Sequence, residues 1–251
     1  MGSEQKKWVI QMKVQTIFER TEIKYIITLA QREEFLKLIS EYIKPDEYGE
    51  STVCSLYFDT DSFQLIRNSI EKPTYKEKLR LRSYSTPKGD SNVFLELKKK
   101  FKGVVYKRRQ TLKYTDAMHY IKNNKLPNDS QIMKEIDYTM ARYNGIRPKM
   151  FIGYDRTAFY SKKDHNLRIT FDKNIRFRTE NLDLAKGNYG EKIIEDNICI
   201  MDVKSLNTMP LWLTSALNQL KIFPGSVSKY GTAYRIVTQR NKNYAGGTNC
   251  A

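Results

Sequence analysis

Basic residues occupy alternate positions in the segment from Tyr75 to Arg109, which otherwise has the composition of β-strands. Single leucines separate Lys78, Arg80 and Arg82, so an extended strand places all three cations on one face. The alternation recurs further along, at Glu96, Lys98, Val105, Lys107 and Arg109. Arginine can bind two phosphate oxygens at once, and lysine supplies a compact positive charge. The pattern therefore predicts a sheet with one apolar face and one cationic face that suits phosphate groups.

The chain of 251 residues carries 44 Lys and Arg against 28 Asp and Glu, a formal charge of +16. A surplus of this size favours a polyanionic partner: nucleic acid, a phosphate-rich molecule or polymer, or an anionic membrane surface. General solubility is the plain alternative, but the cations are periodic rather than scattered. A hydrophobic content of 40%, with 11 Phe and 17 Tyr, can fill a substantial core. An intrinsically disordered chain is therefore excluded.

The cysteines and histidines offer little material for a metal site. Cys54, Cys199 and Cys250 show no paired spacing, and His119 and His165 lie in different segments. We therefore expect neither a disulfide framework nor a zinc site, and a reducing compartment fits. No apolar run approaches the roughly 20 residues that span a bilayer, and no signal-peptide core is found. We expect a cytoplasmic protein, with docking on a membrane protein at the inner face of the membrane as an open option.

The periodicity predicts one domain over residues 16–238. Before it lies a segment over 1–15 that is helical or partly left over from cloning, and after it a flexible tail over 239–251. Strands are predicted at 20–28, 53–59, within 75–109, and at 149–160, 167–172, 174–178 and 198–204. A capping box at Thr28 and Gln31 begins the first helix, which Pro45 ends. A short helix or turn is predicted at 60–70, and further helices at 116–123, 131–144, 210–222 and from 226 or 228 to 238.

About eight strands carry cations and carboxylates on one face and apolar residues on the other. An open antiparallel sheet with a wet polar face is the plain alternative. However, Arg and Lys predominate on the polar faces, and the amphipathic helices are numerous enough to cover the apolar ones. A closed barrel removes exposed edges, and inward cations become tolerable when a polyanion occupies the lumen. We therefore predict an α+β fold: a closed antiparallel eight-stranded β-barrel with a charged lumen, flanked by helices.

Seven short motifs occur in an order that resembles the VTC domain, the polyphosphate polymerase domain of the vacuolar transporter chaperone. They are Arg20 to Tyr25, Leu56 to Thr60, Lys78 to Arg82, Leu95 to Lys98, Tyr154 to Arg156, Leu167 to Asp172 and Ser228 to Tyr230. The resemblance covers about residues 16–238. The VTC domain belongs to the triphosphate tunnel metalloenzymes, a superfamily of charged-lumen β-barrels. This chain looks like a short, bacterial-type, single-domain member.

The resemblance implies a role for each inward charge. We expect catalytic, phosphate-holding cations at Lys24, Arg80, Arg82, Lys98, Arg156 and Lys229. Further substrate contacts are expected from Lys107, Tyr154, Arg168 and Ser228. A divalent metal, Mn²⁺ or Mg²⁺, is expected at Asp202, Glu22 and Glu96. Arg20 and Asp202 each stand where the superfamily usually has a glutamate. Outside the site, the packed end of a strand is predicted at Tyr57, Phe58 and Asp59, and partly solvated hairpin charge at Lys99, Lys100, Lys102, Arg108 and Arg109.

The resemblance implies a polyphosphate polymerase that transfers the γ-phosphoryl group of ATP to a growing inorganic polyphosphate chain. Such transfer needs positioning and charge neutralisation rather than a covalent nucleophile, and no plausible Ser/His/Asp or Cys/His set is found. Two alternatives stay open: a tripolyphosphatase or nucleoside triphosphatase of the same fold, and a non-catalytic polyphosphate-binding module. No specific nucleic acid is expected, because the sequence shows no aromatic stacking motif or RNA-binding signature.

Overall fold

The computed structural model describes residues 21–71, 73–102, 104–206 and 208–246, with side chains as far as residue 241. Within these ranges the strands are β1 (Thr21–Thr28), β2 (Ile43–Asp59), β3 (Tyr75–Tyr84), β4 (Asn92–Phe101), β5 (Val104–Lys113), β6 (Arg147–Ser161), β7 (Arg168–Arg178), β8 (Glu191–Lys192), β9 (Ile198–Ser205) and β10 (Pro224–Gly225). The helices are α1 (Leu29–Ile39), α2 (Gln64–Ile70), α3 (Tyr114–Asn123), α4 (Gln131–Arg142), α5 (Leu211–Gln219) and α6 (Lys229–Gly246). The predicted segment 1–15 and Arg20 lie outside the described residues.

One antiparallel sheet contains all of these strands, in the order β10-β1-β9-β7-β6-β2-β3-β4-β5, with β8 paired to β7. The two-residue strands β8 and β10 add to eight longer ones. This arrangement confirms the predicted α+β class. In the part of the chain that the structure describes, no hydrogen-bonded ladder joins β5 to β1 or β10. Closure of the barrel therefore stays a prediction.

The predicted alternation separates two faces of the sheet. We call one of them the charged face and define it by Lys24, Arg80, Glu96, Arg156 and Asp202. Helices α1 and α5 cover the opposite, apolar face of β1, β7 and β9, and α3 and α4 cover that of β2, β3 and β4. Each large apolar side chain buried there contributes roughly 1.5–3 kcal/mol. A register slip of one residue would expose the whole set, so the apolar pattern fixes which residues reach the charged face.

A bulge in β6 and β7 reverses the alternation locally. The pairing of β6 with β7 shifts between Gly153 and Asp155, and Asn174 opposite them adopts a left-handed φ of 50°. The predicted strands 167–172 and 174–178 are thereby one bent strand. Beyond the bulge, Phe177 packs on α6 beside the charged face, and Arg176 instead pairs with Asp155. The extra residue thus moves Arg176 off the charged face.

Helices α2 and α6 pack on the same side of the sheet as the charged face, against apolar residues of β2, β6, β7 and β9. Helix α6 continues to Gly246, past its predicted end, so residues 239–246 of the predicted tail are helical. An ion pair of 2.6 Å between Arg240 and Glu191 anchors this extension. At α1, the predicted capping box is confirmed, with Gln31 N donating to Thr28 Oγ1 at 3.0 Å. Among the described helices, none combines the length and apolarity needed to cross a membrane.

Candidate phosphate-binding site

Glu96 of β4 gathers four cationic side chains. Its carboxylate is 2.6 Å from Arg80, 2.9 Å from Lys107, 2.5 Å from Arg109 and 3.9 Å from Arg82. Register explains this convergence, because Glu96 pairs with Arg80 on β3 and with Arg109 on β5. Burial alone would raise the pKa of Glu96, but the surrounding cations hold it well below its usual range. Glu96 is therefore an ionised counterion inside a cationic cluster.

Two buried tyrosine hydroxyls complete this cluster. Arg80 donates to the Tyr57 hydroxyl at 3.1 Å, and Arg82 donates to the Tyr154 hydroxyl at 3.3 Å. Burial raises the pKa of Tyr57, but Arg80, Arg82 and Lys78 outweigh it and lower that pKa to about 8. Tyr57 was predicted to lie outside the site, as part of a packed strand end. Tyr57 is packed, with 8% of its surface exposed, and its hydroxyl also contacts Arg80, one of the arginines predicted to hold phosphate.

Asp172 of β7 forms a second centre, where two predicted phosphate-binding residues meet. Arg156 binds its two carboxylate oxygens at 2.6 and 2.7 Å, and Lys229 donates to it at 2.6 Å. Both cations also lie over the Tyr154 ring, at 5.2 and 4.7 Å from its centroid. Burial would raise the pKa of Asp172, but Lys229 and Arg156 hold it well below its usual range. The carboxylate thus holds a strand cation and a helix cation side by side.

Lys24 of β1 forms the third centre with two carboxylates. Its ammonium group donates to Glu22 at 2.8 Å and also to Asp202, its register partner on β9. Burial alone would lower the pKa of Lys24, but Asp202 and Glu22 outweigh burial and raise that pKa. Lys204 lies opposite Glu22 on β9. Negative charge is therefore more concentrated here than around Glu96.

Lys98 of β4 shows that the charged face is strongly curved. Five strands separate β1 from β4 in the sheet order, which in a flat sheet corresponds to about 29 Å. Even so, Lys98 lies close enough to Glu22 to affect its ionisation. Burial alone would raise the pKa of Glu22, but Lys24, Lys204 and Lys98 lower it to about 2. The charged face must wrap around for these groups to approach. This approach is consistent with the predicted barrel, whose closure stays a prediction.

Cations far outnumber carboxylates on this curved face. The cations are Lys24, Lys78, Arg80, Arg82, Lys98, Lys107, Arg109, Arg156, Lys204 and Lys229. The carboxylates are Glu22, Glu96, Asp172 and Asp202. Burial lowers the pKa of Lys78, Lys107 and Lys204, and nearby cations lower it further. A bound polyanion would relieve this repulsion.

Two predicted substrate contacts have other partners. Arg168 donates to Asp46 at 3.1 Å and lies over the Tyr160 ring, so its guanidinium is not gathered into any of the three centres. Ser228 caps helix α6, where its hydroxyl accepts from Gly231 N at 3.2 Å. Lys78 also donates to that hydroxyl at 3.4 Å, which brings the start of α6 to the charged face.

The remaining predicted cations and Tyr154 all lie on the charged face, but several of its residues were not predicted as site residues. Asp172, Lys204 and Lys78 were visible in the alternation, yet were assigned no role. Arg109 was predicted to be partly solvated hairpin charge; its side chain is 34% exposed, and it also binds Glu96. Its position two residues after Lys107 was the signal that could have identified it.

Comparison with solved structures finds similar chains. A putative adenylate cyclase from Bacillus halodurans superposes with a TM-score of 0.50 at 16% identity, over 82% of this chain and 92% of that one. A putative adenylyl cyclase from Hippeastrum, described as having a dominant triphosphatase activity, has a TM-score of 0.49 at 15% identity, over 83% and 92%. The first of these structures shares the fold. No curated protein matches the sequence.

The family follows from the sequence match. A model of the VTC domain family matches residues 19–238, which is most of the chain. The chain belongs to the VTC domain family, and the predicted resemblance is confirmed.

A divalent metal is implied by this family, and two of the three predicted ligands fit one. Glu22 and Asp202 both bind the Lys24 ammonium group, so the two carboxylates lie within reach of one small cation. Metals that accompany phosphates commonly use one or two carboxylates together with phosphate oxygens. Glu96 does not fit, because four cationic side chains surround it. Within the described ranges, no cluster of three or more His, Cys, Asp or Glu could hold a metal.

Proposed function

We propose that this domain is a polyphosphate polymerase, which transfers the γ-phosphoryl group of ATP to the end of a growing inorganic polyphosphate chain. The observation that carries the proposal is the excess of cations over carboxylates on a curved, partly buried face. Both ATP and polyphosphate present consecutive phosphates, and the cations come from β1, β3, β4, β5, β6, β9 and α6. A chain of phosphates can extend along cations from several of these elements, whereas a single phosphate reaches only one local group of them.

The transfer itself asks for positioning rather than for a side-chain nucleophile. A terminal oxygen of the polyphosphate chain forms a bond to the γ-phosphorus, the bond from that phosphorus to the β–γ bridging oxygen breaks, and ADP leaves with the electron pair. Arg80 and Arg156 are suited to hold equatorial phosphate oxygens, since each guanidinium presents several donors in a fixed plane. Lys229 adds a point charge beside Arg156. Fixed cations of this kind stabilise the charge of the transition state.

The carboxylates have a separate role in this proposal. Glu22 and Asp202 would hold Mn²⁺ or Mg²⁺ together with phosphate oxygens, and Lys24 between them would turn to the phosphate. When bound, the metal neutralises charge on the phosphates and helps to orient them. Glu96 and Asp172 keep their arginines in place before the substrate arrives.

The experiment is to incubate the purified protein with ATP and Mn²⁺ or Mg²⁺ and to follow two products in parallel. Polyphosphate is resolved on a gel, and free phosphate is measured in solution. The proposal predicts a ladder of long chains that is absent in Arg80→Ala and Lys24→Ala variants. Free phosphate without chains would instead identify water as the acceptor and the protein as a triphosphatase. If neither product forms while polyphosphate still binds, the protein is a binding module.

A further inference from the structure

Asp59, at the end of β2, is a fully buried carboxylate that accepts four hydrogen bonds. One oxygen accepts from Thr60 N at 2.9 Å and Leu65 N at 2.8 Å. The other accepts from Ile66 N at 3.0 Å and from the Tyr230 hydroxyl at 2.8 Å. Leu65 and Ile66 belong to the start of α2, Thr60 follows Asp59 directly, and Tyr230 belongs to α6. One side chain therefore fastens two helices to the end of a central strand.

Tyr230 connects this carboxylate to two phosphate-holding cations. It follows Lys229 directly, and the Lys229 ammonium group reaches Asp172 on the charged face. Its ring also stacks on the Tyr57 ring, with 4.6 Å between centroids and 20° between planes. The Tyr57 hydroxyl in turn accepts from Arg80. A displacement of Tyr230 would thus move Lys229 through the backbone and Arg80 through the stacked ring.

We propose that Asp59 and Tyr230 are positioning residues: their hydrogen bond sets the spacing between Lys229 and Arg80 that a phosphate chain requires. The proposal rests on the function proposed above, and it links two sequence motifs, Leu56 to Thr60 and Ser228 to Tyr230. Both residues are buried, with 0% and 3% of their surface exposed. A displacement of about 1 Å at a binding group can cost about 100-fold in rate, so a single hydroxyl far from the chemistry can matter.

The test uses two variants that each remove one buried tyrosine hydroxyl. Tyr230→Phe keeps the stacked ring and removes only the bond to Asp59. Tyr120→Phe is the matched control, because the buried Tyr120 hydroxyl donates to Asp137 at 2.9 Å between α3 and α4, on the apolar side of the sheet. We expect both variants to lose similar thermal stability. Only Tyr230→Phe should weaken tripolyphosphate binding and lower kcat, each by about tenfold.

A double-variant cycle separates positioning from general stability. If Tyr230 acts partly through Lys229, then Tyr230→Phe should cost less binding in a Lys229→Ala background than in the wild type. Tyr120→Phe should have no effect on binding in either background. Asp59→Asn is the second variant; because its amide group places a donor against partners that themselves donate, it should weaken binding at least as much as Tyr230→Phe. Equal effects of Tyr230→Phe and Tyr120→Phe on binding, or full additivity with Lys229→Ala, would overturn the proposal.

Binding and turnover report on different claims. If the wild type makes no polyphosphate but Tyr230→Phe still weakens tripolyphosphate binding, the polymerase proposal fails and the positioning role stands. If the wild type makes polyphosphate and Tyr230→Phe binds and reacts as the wild type does, the positioning role fails and the polymerase proposal stands.

Discussion

The charged face has two regions of opposite character. The cationic region, on β3, β4 and β5, places Arg80, Arg82, Lys107 and Arg109 around the single carboxylate of Glu96. The mixed region, on β1 and β9, places Glu22 and Asp202 around Lys24. The first region has a clear excess of positive charge, whereas in the second the two carboxylates balance Lys24 and Lys204. In the proposed function, the phosphates would bind mainly in the first region and the metal in the second.

Removing a cation from the cationic region should have the largest effect. Arg80 binds Glu96 and Tyr57 on the charged face, and loss of one such donor typically costs 10²–10³ in rate. We expect Arg80→Ala to lower kcat for ATP at least about 100-fold. Arg108→Ala is the control, because Arg108 on β5 pairs with Glu135 of α4 instead. A comparable loss in both variants, measured by steady-state kinetics, would contradict the assignment.

Removing the counterion of the cationic region should reduce stability. Glu96 is buried among four cations, and breaking a buried ion pair from one side commonly costs 3–5 kcal/mol. We expect Glu96→Gln to lower the free energy of unfolding by about 3 kcal/mol in urea titrations. Tripolyphosphate should restore more stability to this variant than it adds to the wild type, since it replaces the lost negative charge. The partly exposed Glu135→Gln serves as the control, with an expected loss below about 1 kcal/mol.

The mixed region should determine how the activity depends on metal. We expect Asp202→Asn to raise the Mn²⁺ or Mg²⁺ concentration for half-maximal activity at least about tenfold. The reason is that one of two nearby carboxylates loses its charge. The Glu96→Gln variant should leave that concentration unchanged, because Glu96 belongs to the cationic region. A metal titration of both variants distinguishes the regions. If Glu96→Gln raised the required metal concentration and Asp202→Asn did not, the metal would belong to the cationic region instead.

The ionisation of Tyr57 should show a smaller effect of the same cations. Its pKa of about 8 lies below the usual value of 10.0, so ionised Tyr57 stabilises the fold. This contribution is complete above about pH 10 and is lost as the pH falls through about 8. Near-ultraviolet absorbance should show a tyrosinate step near pH 8. Tyr84 is a second candidate for this step, because Arg82 outweighs burial there and lowers its pKa as well. Tyr57→Phe should therefore remove the step. An absorbance curve that is unchanged in that variant would refute the assignment of the step to Tyr57.

Local sequence patterns predicted the residues whose positions depend on neighbours along the strand. Lys24, Arg80 and Glu96 lie on the charged face because apolar residues alternate with them and are buried under helices. The capping box at Thr28 was equally predictable, since both of its partners lie within one helical turn.

Long-range geometry accounts for what the sequence did not predict. Asp172 gains its role from Lys229, which lies 57 residues further along the chain. Tyr57 sits in a run of buried residues and resembles core, but stacking on Tyr230 directs its hydroxyl to Arg80. The bulge at Asn174 requires an unusual backbone conformation, and no alternation pattern shows in advance that Arg176 will leave the charged face.

The measurement that tests the phosphate site most directly compares Arg156 with Arg176. Each guanidinium pairs with an aspartate on neighbouring strands, and their side chains are 16% and 15% exposed. Only Arg156 lies on the charged face. Calorimetric titration with tripolyphosphate in the absence of metal should show binding at least about tenfold weaker in Arg156→Ala and unchanged in Arg176→Ala. Equal loss in both variants, or loss only in Arg176→Ala, would contradict the claim that the charged face binds the phosphate chain.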